Sequence, residues 1–449
     1  MITDTDVLVI GGGPGGSTAA TCLAQGGLRV TLVEREAFPR FHIGESLLPA
    51  NIPLLERLGV MDRVKEAGFI TKYGAYIHDQ ETDLSYTFMF RPGKPWPPWA
   101  FEVPRAQFDG VLLDHAAAQP GVTLCQPAQV ENVAFDADGV NAEIRDAAGS
   151  RTLRARFLVD ASGRDGFLAS RQGRREPIPG LGKVALFAHF RGARRWPGKE
   201  EGNIRLYVFE DGWFWWIPFR GDVTSVGCVL HARAAREREG SVEALYEEML
   251  GRCRAVAEGL GGAERITPVH TAANFSYRTS PVVGDRFVCV GDSVVFIDPI
   301  FSTGVFVAMQ SAELASAEIL RAFRDNRFAA RRFGGYVRRI QRGIRPFTRF
   351  INRYYEPAFL EVLLRPRPNL RHPRQRDRAP RRRRLPAHAV AHADVARHLL
   401  LAGTHQYLAP PLARPAGGVE ALLVNANQMR SHLMKVAPWG DRRSNQGHP

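Results

Sequence analysis

The residues most able to do chemistry in this 449-residue chain fall in a few short stretches. Gly11, Gly13 and Gly16 make G-x-G-x-x-G between the apolar run "TDVLVI" and the small-residue stretch "STAATCLA". Such a turn brings backbone N–H groups against a pyrophosphate at a helix N-terminus, with Ser17 in the first helical turn. Glu34 closes the next apolar run, 23 residues after Gly11, where a carboxylate accepts the hydroxyls of a ribose; Arg35 follows it. Asp160 ends "FLVD", and Asp292 follows "FVCVG". A second acid at a strand end, far along the chain, suits the ribityl hydroxyls of a flavin, a need that NAD does not have. Lys72, in "GFITKYGAYI", is a lone amine, and lone lysines are usually solvated surface charges. "GWFWWIPFR" holds three of the seven tryptophans within four positions. By itself it reads most simply as an aromatic core strand.

These groups need elements to position them. The order apolar run, glycine turn, small-residue stretch, apolar run predicts strand, helix, strand, a βαβ unit with a parallel sheet. Segments such as "VALFAHF", "IRLYVFE", "WFWWIPF" and "TSVGCVL" predict antiparallel strands between 183 and 230, and 241–259 reads as one amphipathic helix. "FVCVGDSVVFIDPIFSTG" is a buried strand running into a loop, followed by a helix. On a strand Trp213, Trp215 and Ile217 share one face, and Pro218 ends the pairing. The predicted fold class is α/β: a Rossmann-type domain from residues 1–75, 100–170 and 275–335, with an antiparallel sheet domain inserted from 76–99 and 171–274. A C-terminal helix over 336–370 and a basic tail over 371–449 complete the division.

Composition narrows the function classes. Apolar residues make up 45% and charged residues 24%, as in an ordinary globular protein. There is no signal-like N-terminus and no long uncharged apolar run, so the expectation is a cytoplasmic protein with no membrane span. Cys22, Cys125, Cys228, Cys253 and Cys289 have no metal-ligand spacing, and no metal is expected. The net charge of +14 suggests nucleic acid, but 16 basic and four acidic residues lie from Arg365 onward, leaving the body nearly neutral. "RHPRQRDRAPRRRR" has no interleaved aromatics and no recognition fold, so nucleic acid is not expected as a partner.

Taken together these stretches resemble the flavoprotein monooxygenase superfamily, with the fold of para-hydroxybenzoate hydroxylase, and within it the flavin-dependent halogenases. W-x-W-x-I-P at Trp213, Trp215, Ile217 and Pro218 is similar to the signature of that family. The resemblance implies that this wall keeps substrate from the flavin. "FPRFHIGESLLP", with Gly44, Glu45 and Ser46, resembles the loop beside the isoalloxazine ring, and Arg105 in "VPRAQFDGVLLDHA" matches a flavin-contacting position. "DPIFSTG" resembles the halide loop, with Pro299 and Gly304 at the flavin and halide held by Ser302, Thr303 and Gly304. Lys72 then becomes the candidate catalytic residue, and "KYGA" is similar to the branch acting on phenols or carrier-bound substrates.

The resemblance implies FAD, used as FADH2, with oxygen and chloride or bromide giving hypohalous acid that passes to Lys72. Lys72 either hydrogen-bonds it or becomes a haloamine, and halogenates an electron-rich ring, phenolic or pyrrolic, in secondary metabolism. No second G-x-G-x-x-G follows, so a separate flavin reductase is the expected partner. The alternative on the same fold is an FAD-dependent monooxygenase or a relative of geranylgeranyl reductase; W-x-W-x-I-P and Lys72 argue against both. No general base is identifiable, since Phe301 stands beside the halide loop where the tryptophan branch has a glutamate. The tail from 371 is rich in Arg, Pro, His and Ala, as GC-rich codons give when read out of frame, whereas the family continues with helices over the substrate site. A frameshift is the reading preferred over a genuine disordered basic tail.

Overall fold

A computed structural model describes residues 4–92, 96–231, 240–273 and 276–365; the basic tail lies outside them. Strands Thr5–Ile10, Val30–Val33, Val122–Cys125, Gly149–Asp160 and Phe287–Cys289 run parallel, in the order Phe287, Gly149, Thr5, Val30, Val122 by first residue. The runs of Val, Leu and Ile in the inner strands are buried on both faces, as a parallel sheet covered by helices requires, while the edge strand Val122–Cys125 is only partly covered. Parallel strands all end at one edge of a sheet. Gly11, Glu34, Ala161 and Val290 therefore emerge side by side, and the loops that follow them share one crevice.

The second large sheet takes the segments Gly74–Asp79, Leu84–Met89, Lys183–Arg191, Ile204–Phe209, Gly212–Pro218 and Val223–His231. It is antiparallel except where Ile204–Phe209 runs parallel to Gly74–Asp79, a departure from the uniformly antiparallel sheet read from the sequence. The 124 residues between Asp79 and Ile204 allow the long crossover that parallel pairing needs. Trp213, Trp215 and Ile217 face the core shared with the first sheet. Phe214 and Trp216 face a second cluster with Tyr246 and Met249 of helix Val242–Arg252. The helix expected over 241–259 is two, Val242–Arg252 and Arg254–Gly259, because Cys253 leaves helical geometry at ψ 94°.

Helix Gly304–Asp325 packs on the glycine-loop helix Pro14–Gln25 and is followed by Gly334–Tyr354 and Pro357–Leu364, two helices where one was expected. Among the described residues no helix is long and apolar enough to cross a membrane, and no cluster of three His, Cys, Asp or Glu could hold a metal ion.

Candidate active site

The crevice at the strand ends is a cleft of about 600 Å³. Gly11 forms the first turn at φ +100°, and a Cβ there would lie 2.5 Å from the Ala161 carbonyl oxygen. Gly16 packs helix on strand: its Cβ would meet the Gly11 carbonyl oxygen at 1.7 Å. Gly13 instead opens to the cleft, with only the Arg40 guanidinium 3.3 Å from where a Cβ would stand. Glu34 lines the cleft and braces the turn, accepting the Gly12 N–H at 2.6 Å and the Glu36 N–H at 2.8 Å. Arg35 lines the same end and pairs with Asp165.

At the other end Arg105 holds the loop around Gly44. Its guanidinium donates to Asp109 through Nε at 2.7 Å and Nη2 at 2.9 Å, and to the Ile43 carbonyl at 2.6 Å. Gly44 and Ser46 line the cleft with Arg105. Asp292 also lines it, and its carboxylate has no protein hydrogen bond among the described residues. Burial pushes that carboxyl up to about 6, against the pull of Arg105 and Arg164. A helix N-terminus, a side-chain-free Gly13, two acids at strand ends and an apolar end around Val305, Ile344 and Phe347 fit an extended dinucleotide with a flavin ring.

Four residues expected at the cofactor do not line this cleft. Gly16 packs as above, and the Ser17 hydroxyl donates to the Gly12 carbonyl at 2.8 Å. Asp160 is fully buried: it accepts from the Ser162 N–H at 3.0 Å and the Leu168 N–H at 2.8 Å, holding the turn whose Ala161 to Asp165 residues do line the cleft. Glu45 turns away to His189 Nε2 at 2.8 Å. Gly16 and Ser17 pack the helix against the glycine loop, and the Asp160 and Glu45 side chains point away from the crevice.

Lys72 is buried beside a small apolar cavity of about 50 Å³, walled by Leu48, Ile77, Phe88, Phe301, Phe347 and Phe350 among others. Its ammonium donates to Ser46 Oγ at 2.6 Å and to the Leu47 carbonyl at 3.2 Å, and stands 3.9 Å from Glu102 Oε1. Burial pushes the Lys72 amine down and the Glu102 carboxyl up to about 8, each opposed by the other's charge. Ser302 and Thr303 line both this cavity and the cleft. Ser302 takes a left-handed conformation at φ +56°, turning the chain into helix Gly304–Asp325, whose first-turn N–H groups have no intrahelical partner. Pro299 and Gly304 border the cleft alone.

The tryptophan motif was expected to form a wall facing the site. None of Trp213, Trp215, Ile217 and Pro218 lines either cavity; they brace it from behind. Trp213 Nε1 donates to Tyr355 Oη at 3.1 Å, and Tyr355 donates to Asp298 Oδ2 at 2.9 Å, while Asp298 Oδ1 accepts the Ile300 N–H of the loop. Trp215 Nε1 donates to Ser225 Oγ at 3.1 Å. Lys183 completes the network, 3.8 Å from Asp298 Oδ2 and stacked on the Tyr355 ring; burial pushes its amine down to about 8, with Asp298 opposing. Sequence reasoning missed Glu102, Lys183 and Tyr355. The one signal for Glu102 was a carboxylate interrupting the apolar strand "WAFEV".

The family model of the FAD binding domain matches residues 4–328. The pyrrole-2-carbonyl carrier-protein chlorinase of Pseudomonas fluorescens is 33% identical over 377 residues, covering 78% of this chain and 84% of its own. The tryptophan 2-halogenase of Chondromyces crocatus is 37% identical over 324 residues, 71% of this chain and 61% of its own. Among solved structures, the myxobacterial chondrochloren halogenase superposes with a TM-score of 0.73 at 36% identity, covering 77% of this chain and 81% of that one. A glycine-loop cleft shaped for FAD and these relatives lead to one conclusion: the chain belongs to the flavin-dependent halogenases, oxidoreductases built on the FAD binding domain.

Proposed function

We propose that the chain halogenates an electron-rich phenolic or pyrrolic ring, free or carrier-bound, with Lys72 as the catalytic amine and the amides of Thr303 and Gly304 as the halide site. One observation carries this reading: Ser302 and Thr303 border the flavin cleft on one side and the Lys72 cavity on the other. A species formed in the cleft has a single loop between it and the amine. Bound FAD, delivered reduced by a separate flavin reductase, supplies the reaction of oxygen with chloride or bromide that gives hypohalous acid.

The chain's own residues do the rest. Main-chain N–H groups at the start of a helix concentrate an anion, which suits halide. The phenyl walls around Lys72 exclude water, so the acid is not lost to bulk. Lys72 holds it by hydrogen bond or takes the halogen on nitrogen, and presents it to the ring. The O–X bond breaks and a ring C–X bond forms; hydroxide and the ring proton leave as water. Burial of Lys72 favours a neutral amine, the form that the nitrogen route needs, against the pull of the Glu102 charge.

The test is product mass spectrometry with bromide, a flavin reductase and a panel of phenols, pyrroles and indoles. Wild type should give isotope doublets. Lys72→Ala should keep FAD binding and hypohalous acid formation while ring halogenation falls by several orders of magnitude. Full activity in Lys72→Arg would exclude the nitrogen route, since a guanidinium does not readily lose its proton. An alanine variant that halogenates like wild type would remove Lys72 from the site.

A further inference from the structure

Helix Gly334–Tyr354 turns Ile344 and Phe347 to the cleft and Phe347 and Phe350 to the Lys72 cavity. Its outer face is chemically one-sided. Arg338, Arg342, Arg345 and Arg349 are all exposed, and their spacing of four, three and four sets them in one line along the helix. With Arg339 and Arg353 the helix holds six arginines and no carboxylate. Arg339 lies near Glu318 and Arg353 near Glu356, but the four in the line have no ion pair or hydrogen bond among the described residues. Like charges three and four residues apart destabilise a helix, so this run works against its own folding. A face serving solubility alone mixes both signs. Nor does general basicity account for it, because the first 364 residues carry a net charge of only +2.

We propose that this arginine line docks an acidic helical face of the carrier protein that presents the tethered ring, an inference that rests on the carrier-bound form of the substrate reading above. The other occupants fit less well. Gln341 and Asn352 flank the line, with no exposed apolar residue for a membrane surface and no aromatic to stack a base. A second copy would bring the same positive line. The chain's own residues from Arg365 onward carry a net +12 and would be repelled. Guanidinium forks pair with carboxylates two bonds at a time, which suits Arg over Lys here. The line lies one helix diameter, about 10–12 Å, from the face that walls the cavities, so a carrier held there keeps its arm beside them.

The test uses the full chain with bound FAD and, as probe, a peptidyl carrier protein loaded with pyrrole-2-carbonyl. Direct binding and KM for the loaded carrier are measured beside turnover of a free phenol and flavin content. The double charge reversal R342E/R345E should weaken carrier binding and raise KM by about tenfold or more, with flavin content and free-phenol turnover unchanged. R342K/R345K keeps the charge but loses the paired bonds, so it should bind between wild type and the charge reversal, and wild-type affinity should fall with salt. Equal carrier binding by wild type and charge reversal overturns the docking surface, as does no carrier binding while the free phenol is halogenated. Tighter binding of RNA or of phosphatidylglycerol vesicles through the same arginines would assign the line to phosphates and overturn the proposal too. Loss of all halogenation in the wild type, with carrier still bound through the arginines, would strike the functional reading and leave the surface standing.

Discussion

Lys72 Nζ stands 3.9 Å from Glu102 Oε1, and neither oxygen of that carboxylate has a hydrogen-bond partner among the described residues. The two strands that bring them together, Ile70–Lys72 and Ala100–Glu102, pair antiparallel with Lys72 opposite Ala100 and Ile70 opposite Glu102. Lysine and glutamate are therefore diagonal neighbours on one face, within reach of two long side chains. A fully charged pair at this separation would leave two buried carboxylate oxygens without donors, which is costly. Burial moves both groups towards their neutral forms, and the pair comes to share one proton.

Glu102→Gln tests this through pH. The folded carboxyl sits at about 8 against an ordinary 4.5, so between those values the native chain keeps a proton that the unfolded chain releases. Native stability from this group is then full below about 4.5 and is lost as pH rises towards 8. The glutamine variant lacks that loss, so its Tm relative to wild type should climb across the window. It should also move the pH midpoint of the Lys72-dependent limb of halogenation downward, since burial of the amine is no longer opposed. Parallel Tm curves for the two proteins would sink the shared proton.

Two glycines of the same loop should fail differently. Gly13→Val fills space in the cleft without a backbone clash, so the variant should fold and purify colourless, its flavin site blocked. Gly16→Ala sets a Cβ 1.7 Å from the Gly11 carbonyl oxygen, so the helix must move off the strand and Tm should drop. A yellow Gly13→Val protein would refute the placement of the pyrophosphate.

Tyr355→Phe removes one hydroxyl from a buried chain that runs from Trp213 to Asp298. It strands the Trp213 N–H and withdraws a donor from Asp298, a loss of about 1–3 kcal/mol by denaturant titration. Asp298 holds Ile300 in the loop that reaches Ser302 and Thr303, so the halide dependence of product formation should weaken as well. Unchanged stability and halide KM would show the tyrosine to be a bystander.

Arg105→Ala should lower FAD affinity through the loop it ties. Its fork spans Asp109 and the Ile43 carbonyl, and its removal leaves Asp109 buried with the Arg40 guanidinium 3.5 Å away. The expected signature is faster flavin release with little change in the Lys72-dependent step, read from flavin dissociation and from product per bound flavin. Retention of flavin at wild-type affinity would reduce Arg105 to a packing residue.

The cofactor half of this protein was legible in the chain because its determinants are local. A glycine turn, the strand before it and the acid after it lie within 30 residues, and the parallel strands announce themselves by uninterrupted apolar runs. Strand alternation likewise placed Trp213, Trp215 and Ile217 on one face. Which cavity that face meets was beyond reach, because it depends on a helix more than 100 residues downstream: Tyr355 takes the Trp213 N–H, and Phe347 and Phe350 fill the wall expected of the tryptophans. Asp160 and Glu45 turn from the cleft for a similar reason, since residue type at a strand end or in a loop does not say to which side a side chain turns. Glu102 could not be chosen from the many glutamates of the chain. Its role exists only where two short strands and the Ser46 loop close around it and remove the water that would otherwise hold both it and Lys72 charged.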